Sequence, residues 1–491
     1  MDMAAAKPTR HKEVERKFDV TESTVSPSFD GLSAVARVEL SPAESLDAVY
    51  FDTAGQDLAA HKITLRRRTG GSDEGWHLKL PAGQDARTEV RVPLDSSDED
   101  TVPADLLDVV LAIVRDRPLA PVARITTTRY INLLHGTDGT PLAEFCDDQV
   151  TAWAAGGDEQ AWREWELELL TPDADPGLLD RLCNRLLDAG GAPAGQGSKL
   201  ARVLATGGTS PSRPAAPKDP VHRAVAELVG ELLEWDRAVR ADVWDSVHQM
   251  RVTTRKLRSL LKESEESFGL TDDSWVLDEL RSLAAVLGVA RDAEVLAERY
   301  QSGLDELPSE LVRGPVRERL VDGAHKRYGV GHRRSLAAMR TTRYFRLLDA
   351  LEELVTIEIA AADDPPAPVT INSAYKRVRK AAKAAEEATE DRDEALHRIR
   401  KSAKRLRYTA SALGADKVSS AAKQIQTLLG DHQDSYVSRA HLLHQADAAH
   451  VAGEDTFTYG LLYQREHDLA ERARSQVEAA LAKLNKSVGK L

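Results

Sequence analysis

Residues 11–20 read HKEVERKFDV. Glu13, Glu15 and Lys17 alternate with Val14, Arg16 and Phe18, and alternate residues of a β-strand point to the same side. Two carboxylates and an ammonium therefore share one face of the expected strand, before any core has begun.

Other segments repeat the pattern. Arg66 and Arg68 share a face of ITLRRR, with Leu65 and Arg67 opposite. In WHLKLP, His77 and Lys79 oppose Leu78 and Leu80, and in RTEVRV, Arg87, Glu89 and Arg91 fall on one side. In WREWELELL, Glu164, Glu166 and Glu168 face away from Trp165, Leu167 and Leu169. Each strand keeps an apolar face, while the other carries dense charge of both signs. One reading is a sheet with a wet, salt-bridged surface. The other is a curled barrel whose charged faces converge inside, with helices over the apolar faces. Such an interior is costly unless filled. Glu pairs offer hard oxygen ligands to Mg²⁺ or Mn²⁺, and Arg and Lys donate to phosphate oxygens. A metal–polyphosphate complex has the matching mixture of charge.

The 491 residues are 42% hydrophobic and 30% charged, which predicts two or three soluble domains. Cys146 and Cys183 give no disulfide framework and no zinc spacing, so a reduced, cytoplasmic setting is expected. MDMAAAKPTRHKEVERK lacks the apolar core of a signal peptide, and no run approaches the roughly 18 apolar residues of a membrane span. The net charge of -13 is uneven: residues 1–207 hold 22 Lys+Arg against 35 Asp+Glu, and residues 208–491 hold 44 of each.

The Pro/Gly/Ser-rich stretch 207–219 reads as a linker. Before it, in 1–206, short alternating segments are separated by hairpin signals such as RTGGSDEG and LHGTDGTP, with helical stretches near Leu106–Val114 and Pro176–Ala189. After it, 220–491 carries long helical periodicities, interrupted by DDPPAP at 363–368. The halves, about 220–362 and 369–491, resemble each other. HQMRVTTRKLRSLL (248–261) aligns with HRIRKSAKRLRYTA (397–410), and LGVARDAEV (287–295) with LGDHQDSYV (429–437). A duplicated helical unit is expected.

Within it, His248, Arg251, Arg255, Arg258 and Lys262 fall within an arc of about 80° on one helix. His397, Arg400, Lys404 and Arg407 repeat the spacing. Neither 246–262 nor 395–408 contains an acidic residue, so these cations lack i,i+4 partners and call for an external anion. Few aromatics interleave them, which disfavours a nucleic-acid stacking surface.

The first part resembles the CYTH, or triphosphate tunnel metalloenzyme, family. Glu13-x-Glu15-x-Lys17 is its ExExK signature, followed in family order by YFDT (50–53), LRRR (65–68), WHLKL (76–80), EVR (89–91), AEFCDD (143–148), REWELEL (163–169) and SK (198–199). The resemblance implies an antiparallel eight-stranded β tunnel barrel in which a triphosphate lies. It implies Glu13, Glu15, Glu144, Asp148, Glu166 and Glu168 as metal ligands, with Mg²⁺ or Mn²⁺ as cofactor. Lys17, Arg66, Arg68, Lys79, Arg91, Arg129 and Lys199 match the phosphate-binding cations, with Glu89 beside them orienting Arg91 or Lys79. Arg124 is an alternative to Arg129, and Asp147 to Asp148. The catalytic set it implies is Glu13, Glu15, Lys17, Glu166 and Glu168.

The second part resembles the CHAD domain, an all-α domain of two helical bundles that binds inorganic polyphosphate. By position His248, Arg251, Arg255, Arg258, Lys262, His397, Arg400, Lys404 and Arg407 would contact it, and Asp292 and Asp434 would fix helix ends or neighbouring Arg side chains. Together the resemblances imply hydrolysis of inorganic triphosphate or short polyphosphate, with polyphosphate and its granules as partners and no membrane or nucleic acid. The alternatives are an organic triphosphatase acting on thiamine triphosphate, an adenylyl cyclase-like enzyme, and a non-catalytic polyphosphate or nucleic-acid binder.

Overall fold

The computed structural model of the chain describes residues 8–83, 85–98, 101–171, 176–206, 217, 219–270, 274–356, 370–387 and 392–490. It forms two compact units, 1–214 and 215–491. Most of the expected linker at 207–219 and the DDPPAP break lie outside the described residues. Asp219, which is described, accepts hydrogen bonds from Val221 N and His222 N as an N-cap, with Pro220 at the first helical position.

The first unit is built from β1 (Thr9–Val20), β2 (Arg37–Leu40), β3 (Glu44–Asp52), β4 (Thr64–Thr69), β5 (Gly75–Pro81), β6 (Ala86–Val92), β7 (Ala120–His135), β8 (Pro141–Ala154), β9 (Glu159–Leu169) and β10 (Ala192–Pro193). Strands β1-β6-β5-β4-β3-β7-β8-β9 follow one another, all antiparallel, and β9 pairs back onto β1, so eight strands close a barrel. Short β2 and β10 add to β7 and β1 outside that ring.

Register decides which reading of the charged faces holds. Glu15 lies opposite Glu168, Lys17 opposite Glu166, Arg66 opposite His77, and Lys79 opposite Glu89. The charged faces point into the bore. The apolar faces point out and are covered by helices. Phe18, Phe145, Trp165, Leu167 and Leu169 pack against Leu178, Leu179, Leu182 and Leu186 of α3 (Pro176–Asp188). Leu65, Trp76, Leu78, Val90 and Val92 pack against Leu106, Val110 and Ile113 of α2 (Ala104–Val114) and Leu58 of α1 (Asp57–Ala60). The helix α4 (Lys199–Thr206) is different. Its Leu200, Val203 and Leu204 pack on bore-facing Ala48, Tyr50, Ala123, Ile125, Val150 and Ala152, so it fills one end of the barrel.

The second unit is helical and repeats itself. Its helices are α5 (Pro220–Arg240), α6 (Ser246–Glu263), α7 (Trp275–Asp305), α8 (Gly323–Ala338), α9 (Thr342–Thr356), α10 (Ile371–Glu387), α11 (Arg392–Ala412), α12 (Asp416–Val451), α13 (Phe457–Ser475) and α14 (Val477–Val488). The packing α5 on α6, α6 on α7 and α7 on α8 recurs as α10 on α11, α11 on α12 and α12 on α13. The apolar stripe of α11, Ile399, Ala403, Leu406 and Ala410, is buried against α10, α12 and α14. Both LG blocks sit within the long helices α7 and α12, so Asp292 and Asp434 do not fix helix ends. The halves also join: Arg299 Nη2 donates to Ser435 Oγ at 2.7 Å and pairs with Glu466, and Tyr300 packs with Leu442 and Leu462.

Candidate functional site

The bore holds a cavity of about 800 Å³. Glu13, Glu15, Lys17, Arg66, Arg68, Lys79, Arg91, Arg129, Glu144, Glu166, Glu168 and Lys199 all line it. Every strand of the eight-stranded ring contributes through its alternate residues, and α4 contributes its first residue, Lys199.

Acid and base are interleaved around the wall. Lys17 pairs with Glu15 at 3.1 Å and with Glu166. Arg129 grips Asp148 with two hydrogen bonds, 2.8 and 2.7 Å, and reaches Glu166 at 2.5 Å. Lys199 Nζ sits 2.8 Å from Asp148, 2.8 Å from Glu164 and 2.6 Å from Glu166. Lys79 holds Glu13 at 2.6 Å, Arg91 pairs with Glu89, and Arg66 faces the Tyr50 hydroxyl at 3.3 Å. Burial alone would raise Glu166, but Lys17, Lys199 and Arg129 outweigh it and keep the carboxyl well below the usual range. Asp148 is held low in the same way, burial being overcome by Arg129 and Lys199.

Glu168 stands apart. It makes no ion pair among the described residues and lies across the ladders from Glu15 and Glu144. Burial, then Glu13, with smaller contributions from Glu15 and Glu144, pushes its carboxyl up to about 8. An acid raised by burial first and by neighbouring acids after it stands where positive charge is locally short. Glu13, Glu15, Glu144 and Glu168 all offer carboxylate oxygens to the cavity, the donor type a hard divalent cation takes. Two groups bring ligand atoms within 4.8 Å of one another: His11, Glu13 and Glu89, and Asp148, Glu164 and Glu166. The acidic residues thus fit a metal ion, and Lys79 and Lys199 are the cations already standing at these two groups.

In the second unit the two basic stripes face each other across α6 and α11. Half-buried Lys404 is pushed down to about 6, first by burial and then by Arg255, Arg251, Arg400 and Arg407. Its amine lies 5.7 Å from the Tyr408 ring centre, and the Arg407 guanidinium lies 5.5 Å from it. Arg251 lies against Gly288 and Arg400 against Gly430, where a Cβ would come within 3.3 Å of the guanidinium. These are the glycines of the two LG blocks. They let each helix backbone lie under its arginine. Arg251, Arg255, Arg400, Lys404 and Arg407 form no ion pair with a carboxylate among the described residues. Arg258 donates to Leu277 O at 3.2 Å, and Lys262 sits 3.6 Å from Glu265. The imidazoles differ: His248 is partly buried while His397 is exposed.

The CYTH domain family matches residues 11–178 and the CHAD domain family matches residues 223–443. The chain is a CYTH–CHAD protein. Two uncharacterized Mycobacterium tuberculosis proteins, from strains CDC 1551 / Oshkosh and ATCC 25618 / H37Rv, are each 66% identical to it over 513 residues, covering 100% of this chain and 99% of theirs. PptA from Streptomyces chartreusis is 20% identical, covers 54% of this chain and 99% of its own, and has a TM-score of 0.45. The CHAD domain of the plant Ricinus communis is 21% identical, covers 55% of this chain and 92% of its own, and has a TM-score of 0.41. A CYTH barrel is of a metal-dependent hydrolase or phosphoryl-transfer kind, and the two families are associated with triphosphate and polyphosphate. No helix among the described residues is long and apolar enough to cross a membrane.

The CYTH barrel separates the alternatives left open around residues 120–150. Arg124 pairs with Asp47 and is 60% exposed, whereas Arg129 faces the bore. Asp147 pairs with Arg163 at 2.6 Å, while Asp148 lies beneath Arg129. Asp148 and Glu89 are fully buried and sit behind the cations they hold rather than on the cavity wall. Sequence reasoning gave no role to Tyr50, Lys62, Asp73 or Arg87, which also line the cavity, nor to Glu164. Period-two alternation already placed Arg87 and Glu164 on charged faces. Asp73 belongs to a turn, where alternation gives no direction.

Proposed function

We propose that the CYTH barrel hydrolyses inorganic triphosphate and short polyphosphate with Mg²⁺ or Mn²⁺, and that the CHAD unit binds inorganic polyphosphate and delivers it to the barrel. The observation that carries the first part is the convergence of nine cations and six glutamates on one cavity. Arg66, Arg68, Lys79, Arg91 and Arg129 hold the phosphate oxygens, and Lys17 and Lys199 complete the cradle for the leaving diphosphate. Glu13, Glu15, Glu144, Glu166 and Glu168, with Asp148 behind them, would hold the metal, which when bound neutralises phosphate charge and acidifies water. Glu166, kept ionised by three cations, cannot serve as an acid. The Cys146 thiol faces the bore, but burial raises its pKa well above the ordinary value, so it stays protonated and a poor nucleophile. Water is left as the attacking group.

The unpaired Arg255, Arg400 and Lys404 support the second part, because a polyanion supplies the charge that no carboxylate supplies. Phosphate release from triphosphate, long polyphosphate, thiamine triphosphate and ATP, with and without Mg²⁺ or Mn²⁺, tests the assignment. Triphosphate should be turned over only with metal, and Glu13→Ala should lower the rate by about 10²-fold or more. Equal rates in Glu13→Ala and wild type would refute it.

A further inference from the structure

The turn between β4 and β5 carries a charge that the barrel strands do not. Residues 70–74 read GGSDE, and Asp73 directs its carboxylate back over the bore. There it pairs with Arg68, for which it is the one ion-pair partner among the described residues, and with Arg91 at 3.4 Å. Glu13, Glu15, Glu144, Glu166 and Glu168 all come from strands, where the ladder fixes them. Asp73 comes from a segment with Gly70 at φ 80° and Gly71 at φ 79°, conformations glycine adopts freely.

We propose that Asp73 is a built-in competitor for the phosphate chain: its carboxylate takes the anion seat formed by Arg68 and Arg91, and so sets how tightly the CYTH bore holds its substrate. The inference rests on the reading of the bore as a phosphate site. Arg68 is 4% exposed, and a buried guanidinium serves one anion well and two badly, because the anions repel each other in a weakly screened space. A phosphate arriving at Arg68 therefore displaces Asp73, and the turn is the part able to yield. A hydrogen bond from the wall also reaches its backbone. His77 places Nδ1 2.9 Å from Glu89 and Nε2 2.9 Å from the Asp73 carbonyl. Asp73 itself is ionised at neutral pH: burial would raise it, and Arg68, His77 and Arg91 pull it below its ordinary value.

The contrary role, a carboxylate that orients Arg68 for phosphate, makes the opposite prediction. In the full-length protein with triphosphate and Mg²⁺, Asp73→Asn should lower KM about three- to tenfold, with a smaller change in kcat, as expected when a charge-assisted competitor is removed. Calorimetric titration with inorganic tripolyphosphate, metal omitted, should show the same gain in affinity. Asp73→Glu, which restores the charge, should return KM towards wild type. An unchanged or raised KM in Asp73→Asn overturns the inference while leaving the substrate reading intact. A wild-type protein that neither binds nor hydrolyses triphosphate overturns both.

Discussion

Lys404 shows how a single group can report on a whole site. It lies among Arg251, Arg255, Arg400 and Arg407, half-buried, and is held at about 6 against an ordinary value of 10.5. At neutral pH the amine is largely neutral. A polyanion laid over the stripes reverses the field and favours the charged form, so binding takes up a proton. The sign follows. Below about pH 6 Lys404 is already protonated and affinity is at its plateau, and as pH rises above 6 affinity falls by up to about tenfold per unit. Titrations with long polyphosphate at pH 6, 7 and 8 should show this slope. Lys404→Arg, charged throughout, should flatten it while keeping the binding. A slope that survives in Lys404→Arg would mean that another group takes the proton. The same depressed pKa means that the unfolded chain binds the extra proton between about pH 6 and 10.5, so Lys404 costs stability most at the acid end of that window.

At the scale of elements, placement depends on where backbones come close. The stripes on α6 and α11 reach their positions because Gly288 and Gly430 leave room for Arg251 and Arg400 on α7 and α12. Gly430→Ala should leave the thermal midpoint unchanged or raise it slightly, since Ala is the better helix former by about 1 kcal/mol. It should nevertheless weaken polyphosphate binding, because the new methyl pushes on the Arg400 guanidinium. Equal loss of stability and binding would instead mark Gly430 as a packing residue alone. In the barrel, α4 does comparable work. Its buried Leu200, Val203 and Leu204 seat it in the bore, and that seating brings Lys199 to Asp148, Glu164 and Glu166.

At the scale of the molecule, a CHAD unit that binds polyphosphate as proposed would, through the tether, give the barrel a store of it at high effective concentration. If the CHAD unit feeds the barrel, the full-length double variant Arg251→Ala/Arg400→Ala should lose roughly tenfold or more in rate on long polyphosphate at limiting concentration, with triphosphate turnover unchanged. If the unit only anchors the protein to polyphosphate deposits, both rates in solution should match wild type. The sequence alone settled much of this. Period-two alternation of Glu13, Glu15 and Lys17 against Val14 and Phe18 fixed which side chains share a face, and the spacing of His248, Arg251 and Arg255 fixed a basic stripe, because strand and helix periods are local properties of the backbone. The repeated blocks announced the duplication. The sequence could not say whether the charged faces turned inward, since alternation is the same for a flat sheet and a closed barrel; the pairing of β9 with β1 decided that. Nor could it choose Arg129 over Arg124 or reveal Asp73 and the α4 seat. A turn has no period, and the meeting of Asp73 with Arg68 and Arg91, or of Lys199 with Glu166 across 33 residues, is set by long-range packing, which no local pattern encodes.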